Sequence, residues 1–409
     1  MKLFLDSYGC TLNQADAEII RGILRKEEFT DLSDAETVII NTCAVKGATQ
    51  SKMLSRIREY LALGKRVVVA GCLPKINRKL LEQFPVSIVD TNSIHKLPLA
   101  IKSRAIFTSS DHKNKLKMPH CLDDSLTGII EMSEGCLSRC SFCGTKNARG
   151  DLTSYPIEDI VARVRLLLGH GKREIYLTAQ DTGCYGLDIH SNLVELLREI
   201  LKIDGDYRLR IGMMNPNYAL KMLDELIGVY KDDRVYKFLH IPVQSGSDRV
   251  IREMNRGYTV AQFEKIVDRF REEVEDICLS TDIIVGFPTE TDDDFKKTVE
   301  LIKIVRPDIT NISKFYPRPN TAAARMKLLT TQVLKKRSVA LSKICKKIIL
   351  EQNKKYVGRV MECLVIDNDR RLARAPNFKQ VFLDGRAAGL VYAKIMDAGH
   401  SHLKGEINK

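Results

Sequence analysis

The first hundred residues alternate short apolar runs with amphipathic stretches. Runs at 3–7 (LFLDS), 36–41 (ETVIIN), 66–71 (RVVVAG) and 86–89 (VSIV) read as strands, and 15–26, 47–63 and 76–84 carry helical spacing between them. Strands that are apolar at consecutive positions, not at every second one, are covered on both faces, as in a small parallel sheet flanked by helices. From residue 127 a longer alternation begins. Runs at 128–133, 174–179, 208–213, 236–243, 279–285 and 308–315 predict six strands, and helical patterns fill 156–168, 192–202, 219–229, 260–273 and 291–305. Six strand–helix units in about 190 residues fit an open six-unit (βα) barrel, because a closed eight-unit barrel takes about 250. A basic helical stretch spans 330–356, after which 358–367 and 388–396 read as strands around a turn at 385–386, the pattern of a small β-barrel. The fold class is α/β, with a parallel α/β domain over 1–103, a basic linker over 104–126, a partial (βα) barrel over 127–345 and a β-barrel over 346–409.

Composition narrows the function classes. With 44% apolar and 29% charged residues the chain is an ordinary globular protein, which excludes disorder or a fibrous repeat. No apolar run approaches the roughly 18 residues of a membrane span. The start, MKLFLDSYGC, turns polar too soon for a secretory signal, so a cytoplasmic location without membrane association is expected. The net charge of +13 is unevenly spread. Residues 331–409 hold 17 Lys/Arg against 7 Asp/Glu, and 95–120 hold 6 against 1, around a near-neutral remainder. That distribution suits a nucleic-acid partner, although a solvated basic surface also accounts for it. Arg359, Arg370, Arg371, Arg374 and Lys379, in or between the terminal strands, are candidate RNA contacts, and Lys335, Lys336, Arg337, Lys343, Lys346 and Lys347 extend that surface.

Cysteine carries the chemistry. Eleven cysteines, an odd number, argue against a disulfide framework and for metal binding or catalysis. Cys136, Cys140 and Cys143 follow the first barrel strand, on the face where barrel active sites lie. Three thiolates on one loop suit an iron–sulfur cluster or zinc. Structural zinc usually wants a fourth ligand, which is missing nearby, whereas a four-iron cluster on three thiolates leaves one iron open. Cys10, Cys43 and Cys72 each follow one of the first three strands. Parallel strands end on one edge, so these three are expected to converge there, although buried thiols of no chemical role are also common. Cys121, Cys184, Cys278, Cys345 and Cys363 are assigned to packing or surface, with Cys184 the exception by its place near the second barrel strand's end.

The segment EGCLSRCSFCG resembles the radical S-adenosylmethionine (SAM) enzymes. The resemblance implies a [4Fe–4S] cluster on Cys136, Cys140 and Cys143 whose open iron chelates SAM, with Phe142 over the adenine, and cleavage of SAM to a hydrogen-abstracting radical. YGCTLNQAD, NTCAV and VAGCLP are similar to the N-terminal domain of methylthiotransferases, which implies a second [4Fe–4S] cluster on Cys10, Cys43 and Cys72. TAQDTGCYG, HIPVQSGSD, TDIIVGFPTET and FYPRPNTAA extend the likeness, and the last domain resembles the RNA-binding TRAM barrel. By the same resemblance Gln180 and Asp181 stand where the SAM amino group binds, and Gln244 and Ser245 near SAM. Ordinary loop polarity is the other account of both pairs. CGTKNARG and MMNPNY resemble the archaeal and eukaryotic branch. That branch methylthiolates C2 of N6-threonylcarbamoyladenosine beside the tRNA anticodon, using SAM as radical source and methyl donor and an electron donor such as ferredoxin or flavodoxin. Isopentenyladenosine or a ribosomal protein as substrate, and an RNA-binding protein with a structural metal site, are the alternatives.

Overall fold

The computed structural model describes residues 1–43 and 47–408, apart from the side chains of 47–49. Residues 44–46 of the NTCAV segment therefore lie outside it. The N-terminal domain is a six-stranded, all-parallel sheet of β1 (Lys2–Ser7), β2 (Glu28–Phe29), β3 (Thr37–Thr42), β4 (Arg66–Gly71), β5 (Ser87–Asp90) and β6 (Ile106–Phe107), ordered β2-β1-β3-β4-β5-β6. Its central strands are apolar throughout because both faces are covered. Val38, Ile40, Val67 and Val69 pack into one core, while Ile39, Val68 and Ala70 pack into the other. Strand β6 lies inside the stretch expected to be linker, so the sheet continues past residue 103. The rest of that stretch is not simply a basic arm, since Lys115 is only 2% exposed.

The second unit holds β7 (Thr127–Glu131), β10 (Glu174–Thr178), β11 (Arg208–Ile211), β12 (Phe238–His240), β13 (Cys278–Val285) and β14 (Ile309–Lys314). A short antiparallel pair, β8 (Ser133–Glu134) with β9 (Thr153–Ser154), follows β7. The sheets β7-β10-β11 and β12-β13-β14 meet through a parallel bridge between Leu209 and Val235. The six strands thus run in sequence order, with β7 and β14 at the two edges of an open barrel. Leucine, isoleucine and valine from strands and covering helices fill one continuous core. No helix among the described residues is long and apolar enough to cross a membrane.

The helix Thr331–Lys354 is continuous through residue 345 and buries Leu341, Cys345 and Ile348 in the barrel core. The expected boundary at 345/346 is corrected accordingly, since this helix belongs to the barrel by its packing. Beyond it β15 (Val360–Asp367), β16 (Leu372–Arg374), β17 (Gln380–Leu383), β18 (Leu390–Ala398) and β19 (Leu403–Ile407) close a barrel in the order β15-β16-β17-β19-β18.

This small barrel docks on the amino-terminal ends of the large barrel's strands, and the docking corrects several expected RNA contacts. Lys379 is buried, with Nζ 2.7 Å from Asp308. Arg374 lies 3.4 Å from Glu174 and stacks on Phe378. Phe378 enters an aromatic nest of Tyr176, Tyr236 and Phe238 at centroid distances of 5.6, 5.1 and 4.8 Å. Arg359 makes a two-pronged pair with Asp276, and Arg337 is buried against Glu290 and Asp292. Lys379, Arg374 and Arg337 thus hold protein to protein, whereas Arg359 stays exposed beside Asp276. Arg370 and Arg371 are exposed on the outer face.

Candidate functional site

The cysteines sit where strands end. Gly9, Gly71 and Gly135, each with positive φ, immediately precede Cys10, Cys72 and Cys136. At Gly71 a Cβ would lie 2.5 Å from the Thr42 carbonyl oxygen, and at Gly135 it would lie 1.9 Å from that of Asp151. Only glycine allows the turn and the close approach that set these thiols over the edge.

In the N-terminal group a single amide organises three loops. Asn13 Oδ1 lies 4.0 Å from Cys10 Sγ and 3.9 Å from Cys72 Sγ. Its Nδ2 donates to the carbonyl oxygens of Tyr8, at 2.9 Å, and Thr42, at 2.7 Å, the latter next to Cys43. Burial pushes the Cys72 thiol up to about 11, against the pull of the Arg149 guanidinium.

The barrel group occupies the loop after β8. The Ser138 amide donates to Cys136 Sγ at 3.3 Å, and Arg256 Nη1 donates to Cys140 Sγ at 3.2 Å. Cys184, fully buried, places its sulfur within 4.8 Å of Cys136 Sγ and an Asp181 oxygen. Hydrogen bonding from Cys184 holds the Cys136 thiol below its ordinary value, while burial raises Cys143. Gln180 Oε1, Gln244 Oε1 and Arg256 Nη2 are buried without a hydrogen-bond partner. Three converging thiols ringed by orphaned polar atoms fit a cluster that carries a polar, amino-acid-bearing cofactor.

The other expected site residues divide. Phe142 packs beside Val250 and Phe315 and lines a cavity of about 690 Å³ with Cys143, Gln244, Asp282, Tyr316 and Arg318. Gln244 has φ of +68°, and its backbone bonds to Asp282 and Ile284 direct its amide at that cavity. Asp181 accepts from the Gly183 and Asn215 amides at 3.1 and 3.0 Å, with its carboxyl raised to about 6 by burial. Ser245 is corrected, because it is fully buried with Oγ 3.4 Å from Thr298 Oγ1 and 3.2 Å from the Ser247 amide, so it braces a turn. Asp282 faces the cavity, where burial works to raise its carboxyl but His240 and Asn311 hold it below the ordinary value.

Two links join the cysteine groups. The first is a buried charge cluster. Arg149, six residues past Cys143, contacts Asp16 at 2.6 Å, Glu134 at 2.7 Å, Glu131 at 3.3 Å and Asn13 at 3.3 Å. Lys115 contacts Asp16 at 2.7 Å and Glu134 at 2.5 Å, and none of these five charged side chains is more than 2% exposed. The second link is Arg318, which packs on Gly144, next to Cys143, and reaches Gln50 Oε1 of the first domain at 3.4 Å. The cysteine edge of the first domain therefore faces the carboxyl end of the barrel.

Residues 130–302 match the Radical SAM superfamily, and residues 2–90 match the family described as Uncharacterized protein family UPF0004. A relative from Pyrococcus horikoshii, named "Probable threonylcarbamoyladenosine tRNA methylthiotransferase", is 42% identical over 422 residues, covering 100% of this chain and 99% of the relative. The chain belongs to the threonylcarbamoyladenosine tRNA methylthiotransferase family. A further member, from Danio rerio, is 36% identical over 99% of this chain and 78% of its own length. Among solved structures, the radical S-adenosylmethionine methyltransferase TsrM from Kitasatospora setae shares the fold, with a TM-score of 0.58 at 16% identity over 79% of this chain and 76% of that one.

Four polar residues of this methylthiotransferase site escape a reading centred on cysteine: Asn13, Arg149, Arg256 and Arg318. The first carried a signal. Cys10, Asn13 and Asp16 are spaced by three at the start of the helix Thr11–Ile23, which puts them along one face.

Proposed function

We propose that the chain transfers a methylthio group to C2 of N6-threonylcarbamoyladenosine beside the anticodon of tRNA. The observation that supports this most is the facing of two three-cysteine groups across Arg149 and Arg318. Cys136, Cys140 and Cys143 would hold one [4Fe–4S] cluster and Cys10, Cys43 and Cys72 the other, with SAM bound among Phe142, Gln180 and Gln244. The C2–H bond offers no acidic proton to a side-chain base, so the difficult step belongs to the cofactors. When bound, they supply the carbon radical that removes this hydrogen and the sulfur that replaces it.

The chain's own residues position and shield. Arg256 steadies Cys140, and Asn13 holds three loops in register. Asp181 ties the Cys136 side of the mouth to the Asn215 turn. Phe142, Ile283 and Phe315 give the cavity an apolar wall that keeps water from a reactive carbon. A ferredoxin or flavodoxin as electron donor and a cytoplasmic location complete the reading. The test is anaerobic reaction with threonylcarbamoylated tRNA, a strong reductant and SAM, followed by nucleoside mass spectrometry. The 2-methylthio derivative is expected, and an unchanged nucleoside profile with both clusters loaded would refute the proposal.

A further inference from the structure

Arg318 is 4% exposed and lines the cavity, yet among the described residues its guanidinium has no carboxylate partner. Among the described residues its Nη2 is buried without a hydrogen-bond partner, and Nη1 has only a long 3.4 Å contact with Gln50 Oε1. A buried guanidinium with most of its donors unmet is costly unless an anion arrives to meet it. The side chain is nevertheless held in place. It stacks 4.9 Å from the centroid of Tyr316, and its carbonyl oxygen accepts from Thr321 Oγ1 at 2.8 Å. It also packs so closely on Gly144 that a Cβ there would sit 3.1 Å from Arg318 Cγ.

We propose that Arg318 is the specificity residue that receives the free carboxylate of the threonylcarbamoyl group, an inference that rests on the reading of the substrate above. C2 must lie between the two cysteine groups to be reached from both, and Arg318 crosses that gap from Gly144, next to Cys143, to Gln50 of the first domain. C6, which bears the substituted N6, is separated from C2 by one ring nitrogen, so the threonyl end falls beside the same gap. A planar fork of N–H donors matches a carboxylate two-pronged. An uncharged substituent such as isopentenyl would leave the fork buried and unmet, and that is how such a site rejects it.

The experiment compares a tRNA anticodon stem-loop carrying threonylcarbamoyladenosine with the same stem-loop carrying its carboxylate methyl ester. Wild-type holoenzyme is expected to lose about 100-fold in kcat/KM, and to bind correspondingly more weakly, on going from acid to ester. Arg318→Gln should show that loss on the acid already and no longer distinguish the two. Its iron content and tRNA-independent SAM cleavage are read alongside, to separate a lost substrate contact from a disturbed cluster. Arg318→Lys, which keeps the charge without the fork, should fall between them, and it serves as the comparison if Arg318→Gln does not fold. Undiminished discrimination by the variants would overturn the proposal, and so would loss of iron or SAM cleavage, which would place Arg318 with the clusters. Wild-type inactivity on the acid stem-loop would remove the substrate reading itself, and this inference with it.

Discussion

Arg149→Met removes one of two cations from a pocket that holds three carboxylates. In the native cluster, burial already raises Glu131 well above the ordinary glutamate value, aided by Glu134 and Asp16 and opposed by Lys115 and Arg149. Without Arg149, Lys115 alone faces Asp16, Glu131 and Glu134. Breaking a buried pair in this way costs about 3–5 kcal/mol. The charge left uncompensated is relieved by protonating one more carboxylate, whose folded pKa then lies above its unfolded one, at about 1.4 kcal/mol per pH unit of displacement. A group whose folded pKa is raised holds its proton better folded than unfolded, so its stability deficit shrinks as pH falls. Anaerobic urea unfolding of the holoprotein should therefore show a loss of about 3–5 kcal/mol near pH 7.5, which falls by about 1.4 kcal/mol per pH unit toward the ordinary glutamate range. A loss below about 0.5 kcal/mol, or one that grows on acidification, would refute the cluster's role as the clamp between domains.

Gly135→Ala, at φ +72° with no space for a Cβ, should cost the barrel cluster and leave about four of about eight irons. Gly64→Ala has the same φ and open space, and should keep all of them by iron and sulfide analysis. Cys184→Ala should also retain the full iron content, whereas Cys140→Ala should lose half, and iron loss in the former would make Cys184 a ligand. Lys379→Met should destabilise the protein by about 3–5 kcal/mol in thermal or urea unfolding by stranding Asp308. It should not change the salt dependence of tRNA binding by the folded fraction. Arg370→Ser should leave stability within about 0.5 kcal/mol and lower the salt slope of tRNA binding, measured by titration across ionic strengths.

The parallel sheet, the six-unit barrel and the placing of Cys10, Cys43 and Cys72 on one edge were legible because each rests on local pattern plus one topological rule. Val38, Ile39 and Ile40 read as a two-sided strand, and parallel strands bring Cys10, Cys43 and Cys72 to one edge. The charged residues were not legible in this way. A lysine or arginine has the same local signature whether it meets water, phosphate or a carboxylate across a domain interface. Lys379 and Lys115 read as basic surface, yet their partners Asp308 and Asp16 lie 71 and 99 residues away along the chain. Ser245 was misplaced for a related reason: a hydroxyl at a strand end faces the cavity or the turn according to one backbone angle. Of the small barrel's five strands only two were visible, because β16, β17 and β19 are only three, four and five residues long.

The small barrel grips the end of the large barrel opposite the cysteines. Strand β13, eight residues long, spans about 26 Å between those ends. A nucleic acid held by Arg370 and Arg371 must therefore run along the flank before its target base can enter at the far end. The plug of Phe378 in its aromatic nest fixes that span, so under the proposed function the protein would measure its substrate as well as read it. A base the right distance from a folded RNA body is reached, and the same base on a shorter or differently bent body is not.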